Sequence, residues 1–564
     1  MIKRFWKEKL GPWERGLIIA GGVSFVLVAI KFFGIEMPFH QDEWKTARFI
    51  VDPNALAGIF HHPPLTELLY RAVGLVLPPE LFRLVPLAFT LLSFGLLYPV
   101  LEARIGFKAA LLSIILLGTS AYGAVAALML DLDGAIMPFF MLLTVYAYDR
   151  AHVKTGNARI FFLALLLTAL VLGLLIKLSF IIVVGAILID YLFERRKDIT
   201  VRDLLRLFGL LAAFFVFIAF LVLVARFVYP SFSVEAMVAH ALTYIHLGNR
   251  EWGQIAFQTF KALIYTGPLV FFVLFLRRDV FEKTRFFFVY LGLGLMFYLV
   301  LFDFSSGALD KYLMFTIVPV CAIAGAALAP YIPYRNLRRI ELLVILAGAL
   351  ALVSVNFLPH EVLPLYPKSV WAKDVLSLHW NILIPFMGGS GPIGFYISFL
   401  FIALSFAAGS LLALVAVLYK NARTFCAGAL LVLVFLQSAV FTEELFSGRI
   451  NGSTANALHQ ALAYIDTTPS VASIITYNDT GAFELWQRGR YAGRFYAVPG
   501  YEEGHKELFA KHAGHYLVVD MPRLNVDSFY SKFFSTCETT FSSSSGAITA
   551  RVYYCPHSDP FSIK

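Results

Sequence analysis

Two short stretches near the start of the chain concentrate side chains that can move protons or hold anions. They are His40-Gln41-Asp42-Glu43-Trp44 and, further on, His61-His62-Pro63-Pro64-Leu65. Of two adjacent carboxylates, one can take a proton from a hydroxyl while the other orients a partner or helps to hold a metal. Histidines pair with an anion when protonated and ligate metals when neutral. Asp42 suits the first turn of a helix over 42–51, where free N–H groups favour the ionised carboxylate. Asp52-Pro53-Asn54 would end that helix. The simplest alternative is that Asp42 is only a cap and Glu43 only solvated. Further along come Asp131-Leu132-Asp133-Gly134, with acids that are costly near a membrane unless solvated or paired. Lys311-Tyr312 supplies a cation and a phenol, and Arg83 and Arg250 are further cations.

The elements that must position these residues are membrane helices. The chain has 564 residues, 59% hydrophobic and 16% aromatic, with only 15% charged. A soluble protein would carry roughly a quarter charged residues. Apolar runs of about 18 or more residues recur along the sequence, as bilayer-crossing helices require. The net charge of +9 does not point to nucleic acid, because Lys and Arg sit in short clusters between the apolar runs. Such clusters mark the cytoplasmic side.

We read about thirteen spans. The first covers 17–35 and is a retained signal-anchor, since no small-residue cleavage site follows it. The next cover 82–101, 109–129 and 135–148. The run 160–193 is too long for one helix, and Lys177 in its middle marks a turn. The last spans cover 394–419 and 424–441. Thirteen spans with the N-terminus inside put every basic cluster on one face. They put 36–81, the Asp131 turn, 359–393 and the C-terminal residues on the other.

In the segment 36–81, Pro63-Pro64 opens a second helix, proline being tolerated in a first turn. Leu65, Leu68, Leu69, Ala72, Val73 and Val76 form one apolar stripe, with Glu67 and Arg71 paired opposite. Such a helix lies on the membrane rather than through it.

An acidic pair just after the first span, followed by Pro-Pro-Leu opening an interfacial helix, resembles the GT-C superfamily. Within it the pattern is similar to protein O-mannosyltransferases and aminoarabinose (lipid A) transferases. The resemblance covers about residues 1–440. It rests on Asp42-Glu43, on His62-Pro63-Pro64-Leu65, and on Asp310-Lys311-Tyr312 with Pro319 beyond it. His62 departs from the pattern, standing where some members have lysine.

The resemblance implies an inverting glycosyltransferase. It would move a sugar from a polyprenyl-phosphate donor to an acceptor hydroxyl on a lipid, glycan or protein, at the outer face of a plasma (inner) membrane. Inversion needs one base and no covalent intermediate. Asp42 would be that base, with Glu43 orienting the acceptor. Lys311, Tyr312, His62 and Arg83 would bind the donor phosphate, and Asp133 and His61 the substrate. Glu43, His40 and His62 could hold a divalent metal ion, although loop spacing of this kind is a poor metal signature. For Lys311 the plainer alternative is a lysine snorkelling at a helix end. Lys177 reads as a turn residue rather than a ligand.

Residues 1–442 thus read as a transmembrane catalytic domain and 443–564 as a small extracytoplasmic α/β domain. Strand patterns fall at 471–477, 494–498, 516–521 and 550–554, and helix patterns at 455–465, 481–488 and 503–511. Cys537 and Cys555 lie in this domain, outside the cytoplasm, where a disulfide is permitted. The triplets Asn451-Gly452-Ser453 and Asn478-Asp479-Thr480 match the glycosylation pattern. The loop 359–393 carries Trp371, Trp380 and the run Gly388-Gly389-Ser390-Gly391, which would suit a lid. A secondary transporter is the rival from another class, but no internal repeat or broken pair of spans supports it. A catalytically inert scaffold of the same superfamily is the other.

Overall fold

A computed structural model describes residues 11–52, 62–196, 199–228, 232–243, 252–302, 309–332, 339–386 and 391–556. His61, Arg250 and Gly388-Gly389-Ser390 lie outside the described residues. Among the described residues, nine helices are long and apolar enough to cross a bilayer, or ten if the bent pair Phe107–Thr119 and Ala121–Leu128 is one span. The chain is a multi-pass membrane protein. Helix Val201–Val228 has a mean hydropathy of 3.1 and is only 11% buried, as expected of side chains that face lipid. Helix Leu313–Tyr331 is 83% buried and packs inside the protein. Helices stand within each span named above, the stretch 394–419 being helical only from Phe399, but some helices are short. Ile181–Arg195 has 15 residues and Arg285–Met296 has 12.

The chain divides into two compact units. The first comprises Met1–Ile35, Arg48–Tyr334 and Ala416–Gly428, and the second Glu36–Ala47, Arg335–Val415 and Ala429–Lys564.

In the first unit, two breaks in helices matter most. The expected span 109–129 is bent by 68° at Ser120. Ser120 caps the second piece, its Oγ accepting from the Gly123 N–H at 3.0 Å. Serine at an N-cap satisfies a donor that a helix start leaves free. A Cβ on Gly123 would come within 2.2 Å of the Leu117 carbonyl oxygen, so the bend needs glycine there. The second break is at Lys177, whose backbone is extended (φ −153°, ψ 133°) between helix Gly156–Ile176 and the turn Leu178–Phe180. This is the turn read from the sequence.

The second unit holds two sheets. A small one orders β1 (Glu361–Val362), β2 (Ile382–Phe386) and β3 (Phe395–Ser398), with helix Lys368–Leu376 between β1 and β2. Residues 359–386 and 391–398 are therefore structured: Trp371 is buried and its indole N–H donates to the Pro364 carbonyl at 2.8 Å. The larger sheet has the order β5-β4-β6-β8-β7, comprising β4 (Ile474–Tyr477), β5 (Tyr491–Phe495), β6 (Gly514–Val519), β7 (Glu538–Ser545) and β8 (Ile548–Cys555). β5, β4 and β6 run parallel, while β8 is antiparallel to both β6 and β7.

An aromatic core of Tyr477, Phe495, Phe509, Tyr516 and Phe533 lies under this sheet. Cys537 and Cys555 are joined in a disulfide beside it. Both glycosylation triplets are buried: Asn451 is 5% and Asn478 7% exposed. The Asn451 amide also donates to the Tyr396 carbonyl at 3.2 Å. Neither asparagine is open to a glycan in the folded chain.

Candidate functional site

The first unit gathers a cluster of buried charges. Its centre is the turn Asp131-Leu132-Asp133-Gly134, which packs so closely on helix Ala121–Leu128 that a Cβ on Gly134 would meet the Ala126 carbonyl oxygen at 2.4 Å. Lys177 Nζ lies 2.5 Å from Asp133 Oδ2, and Lys311 Nζ lies 3.0 Å from Asp131 Oδ2. Both lysines also sit over the Tyr312 ring, Lys177 at 5.2 Å and Lys311 at 4.7 Å from its centre. Two helix breaks and the head of a third helix thus meet in one knot of two acids, two lysines and a phenol ring.

Neighbouring side chains complete the frame by bonding the carbonyls that helix ends leave unsatisfied. Thr66 Oγ1 donates to the Ile176 carbonyl at 2.7 Å, beside Lys177. Tyr70 Oη donates to the Leu130 carbonyl at 3.0 Å, beside Asp131. Arg83 is fully buried and its Nη1 donates to the Leu128 carbonyl at 2.5 Å. The structure therefore gives Arg83 a bracing bond to the end of the bent helix. Helix Pro64–Val76 buries Thr66, Glu67 and Tyr70, whereas Leu68, Leu75 and Val76 are exposed. Of its apolar stripe, Leu68, Ala72 and Val76 are exposed and Val73 is buried, so most of the stripe faces outward, as an interfacial helix requires. Glu67 pairs with Arg71 at 2.8 Å.

The charges in this knot hold one another in place. Burial works against ionisation of Asp131, but Lys311, Lys177 and His62 outweigh it and hold the carboxyl at about 2. Burial raises the Asp133 carboxyl above its ordinary value against the pull of Lys177, with Asp131 adding to the rise. Burial would lower the Lys177 ammonium, yet Asp133 and Asp131 raise it. His62 feels the same surroundings from the other side. Burial, then the positive charge of Lys177, push its imidazole down to about 3, so it is neutral at pH 7. A neutral imidazole offers a hydrogen bond to a phosphate, not the ion pair that a lysine at this position would make.

The second unit holds the acidic pair. Asp42 opens helix Asp42–Val51 as expected. Its side chain is 47% exposed and accepts from Lys45 Nζ at 2.7 Å. Glu43 is fully buried and its backbone N–H bonds the His40 carbonyl at 3.0 Å; His40 is also buried. The segment around the pair is seated on the C-terminal residues of its own unit. The Phe39 ring meets Phe483 edge-on at 5.0 Å, and Trp44 lies 5.3 Å from Tyr491. Gln41 Nε2 reaches Asn478 Oδ1 at 3.5 Å. Of the residues considered as metal ligands, His40 and Glu43 belong to this unit and His62 to the first. Among the described residues, no group of three or more His, Cys, Asp or Glu side chains could hold a metal ion.

Of the residues the sequence put forward, Asp133, Lys311 and Tyr312 meet in this knot and His62 feels its charges, while Asp131 had been left in the background. Sequence reasoning took Lys177 for a turn residue only. The available signal was a lysine inside a long apolar run, which is costly unless a carboxylate meets it.

No protein-family model matches the chain, and no curated protein matches its sequence. Solved structures do. ArnT from Cupriavidus metallidurans bound to undecaprenyl phosphate superposes with a TM-score of 0.55 at 14% identity, covering 95% of this chain and 97% of that one. The same protein in its apo state gives a TM-score of 0.52 at 15% identity, with the same coverage. At these identities the likeness concerns the fold, and it extends over nearly the whole of both chains. The chain has the GT-C fold that its acidic pair and Pro-Pro-Leu motif led us to expect.

Proposed function

We propose that this protein is a membrane glycosyltransferase that takes a sugar from a polyprenyl-phosphate donor and passes it, with inversion, to an acceptor hydroxyl at the outer face of the membrane. The observation that carries the reading is the buried knot of Lys177, Lys311, Asp131, Asp133 and Tyr312. Burying two ion pairs is expensive and seldom a net gain in stability over apolar packing. Such a knot therefore suggests work on a charged ligand. A second support is the fold shared with ArnT, which has been solved bound to undecaprenyl phosphate.

In the proposed reaction the acceptor oxygen bonds to the anomeric carbon as the bond from that carbon to the donor phosphate oxygen breaks. The acceptor proton passes to Asp42, and the electron pair of the broken bond leaves with polyprenyl phosphate. Asp42 is suited to the base role because it is half exposed and heads a helix, where the carboxylate is favoured. The departing phosphate needs positive charge at hand. Lys177 and Lys311 supply it from their places beside Asp133 and Asp131. Neutral His62 adds an N–H donor.

The test uses purified protein in detergent and a panel of polyprenyl-phosphate sugars, with release of polyprenyl phosphate followed by mass spectrometry. Wild type should release it from one donor, and Asp42→Asn should not. A chelator arm in the same run decides whether a metal takes part. Failure of wild type with every donor, even with crude membrane extract as acceptor, would sink the reading.

A further inference from the structure

The second unit carries one more constellation, at the end of its parallel strands. The turn after β4 holds Asn478 and Asp479, both in the left-handed backbone region (φ 57° and 59°). It is pinned to β5 by the Asn478 N–H, which donates to the Phe495 carbonyl at 2.8 Å. Asp479 is fully buried and takes two bonds of 3.0 Å from Arg494 Nη1, one to each carboxylate oxygen. The Tyr496 hydroxyl donates to the same carboxylate.

Arg494 is 31% exposed on its side chain and lies 5.3 Å over the Tyr496 ring. Among the described residues only its Nη1 is used, so Nη2 and Nε keep N–H donors toward them. Tyr501, 51% exposed, adds a second ring 6.2 Å from Tyr496. This group lies beside Asp42: Gln41 touches Asn478, one residue from each acid. Burial, then the Asp479 charge and lastly that of Asp42, also push the Tyr496 phenol well above its ordinary range, so it stays a donor.

The charges here cancel in pairs, Asp479 with Arg494 and Asp42 with Lys45. What remains is a rigid fork of N–H donors, polar amides and flat aromatic rings. A guanidinium whose orientation is fixed can bond two neighbouring oxygens at once. Ring-borne hydroxyls on a saccharide present such pairs of oxygens, and the apolar face of a sugar packs on an aromatic ring.

We infer that Arg494, anchored by Asp479 and backed by Tyr496, recognises the acceptor beside Asp42, and that this acceptor is a glycan. The inference rests on reading Asp42 as the base for the acceptor hydroxyl. It assigns acceptor choice to the C-terminal residues and makes Asp479 a positioning residue that acts through Arg494.

The experiment gives purified full-length protein a donor it hydrolyses, together with octyl glycosides and disaccharides, Ser/Thr peptides, or alkyl phosphates. Release of polyprenyl phosphate is followed in each case. A glycoside should accelerate release. Arg494→Gln should raise its KM by about tenfold or more, the scale of lost charge-assisted hydrogen bonds, and far more than it slows acceptor-free hydrolysis. Arg494→Lys keeps the charge but not the fork, so its KM should fall between the two. It carries the test should Arg494→Gln prove unstable. Tyr496→Phe keeps the ring and should raise the KM least. An unchanged KM in both Arg494 variants, or acceleration by peptides or phosphates alone, would overturn the inference and leave the transferase reading standing. Absence of donor hydrolysis by wild type would overturn both.

Discussion

The knot in the first unit and the acidic pair in the second are both made of carboxylates beside lysines, yet they are built to opposite specifications. Asp131 and Asp133 are buried, and their lysines are nearly as buried as they are. Asp42 is 47% exposed, and its partner Lys45 is 42% exposed. A buried pair is held rigidly, and losing one partner leaves an unpaired charge in a poor solvent. An exposed pair makes and breaks at little cost. The first arrangement suits a fixed seat for an anion. The second suits a base that must release one partner and take up a proton. Under the proposed reading, the base is the more exposed of the two kinds of acid.

Mutations should break that contrast in a graded way. The largest effect expected is on chemistry in the second unit. Asp42→Asn should lower sugar transfer by about a hundredfold or more, the range for a lost general base, with almost no change in thermal stability. A stability loss as large as the activity loss would mean that Asp42 is a structural cap. In the first unit the order reverses. Lys311→Met removes the cation bonded to Asp131 and should destabilise the protein by about 3–5 kcal/mol. The double variant Lys311→Met/Asp131→Leu should recover most of that stability without recovering activity. Denaturant or thermal unfolding in detergent reads both.

Outside the two regions, replacing Cys537 and Cys555 by serine opens a loop of sequence separation 18 and should cost about 3 kcal/mol. The loss should appear as faster proteolysis of the C-terminal residues.

The pH response sharpens the comparison further. Unfolded, His62 takes a proton near its ordinary 6.5; folded, only near 3. Between those values the unfolded chain binds more protons, so stability should fall as pH drops from about 6.5 toward 3 and level off below. His62→Gln should flatten that slope in melting curves. The smallest effect expected is that of Lys45→Ala, an exposed i,i+3 pair, at less than about 1 kcal/mol.

Much of this was legible in the sequence, and the physical reason differs from region to region. Helix Asp42–Val51 and helix Pro64–Val76 announced themselves by a cap, prolines and a 3.6-residue stripe, all local signals. The break at Lys177 was legible because a helix has a fixed rise and a bilayer a limited thickness. That Lys177 meets Asp133 was not legible. The two residues are 44 positions apart, and which helix breaks face each other is decided by packing. β7 hid because its serine run, Ser542–Ser545, reads as loop; it is a strand because β8 supplies its hydrogen bonds. The seating of Phe39 and Trp44 on Phe483 and Tyr491 joins segments more than four hundred residues apart. No local pattern carries such a contact, nor the Asp479-Arg494-Tyr496 group beside it.

The most direct test of the account is native mass spectrometry of polyprenyl phosphate bound to wild type, Asp42→Asn and Lys177→Met/Asp133→Leu, each purified in the same detergent. The account predicts that wild type and Asp42→Asn retain the lipid equally, while the knot variant, folded but without its ion pair, loses it. Retention of the lipid by the knot variant, or its loss from Asp42→Asn, would contradict the division of labour proposed for the two regions.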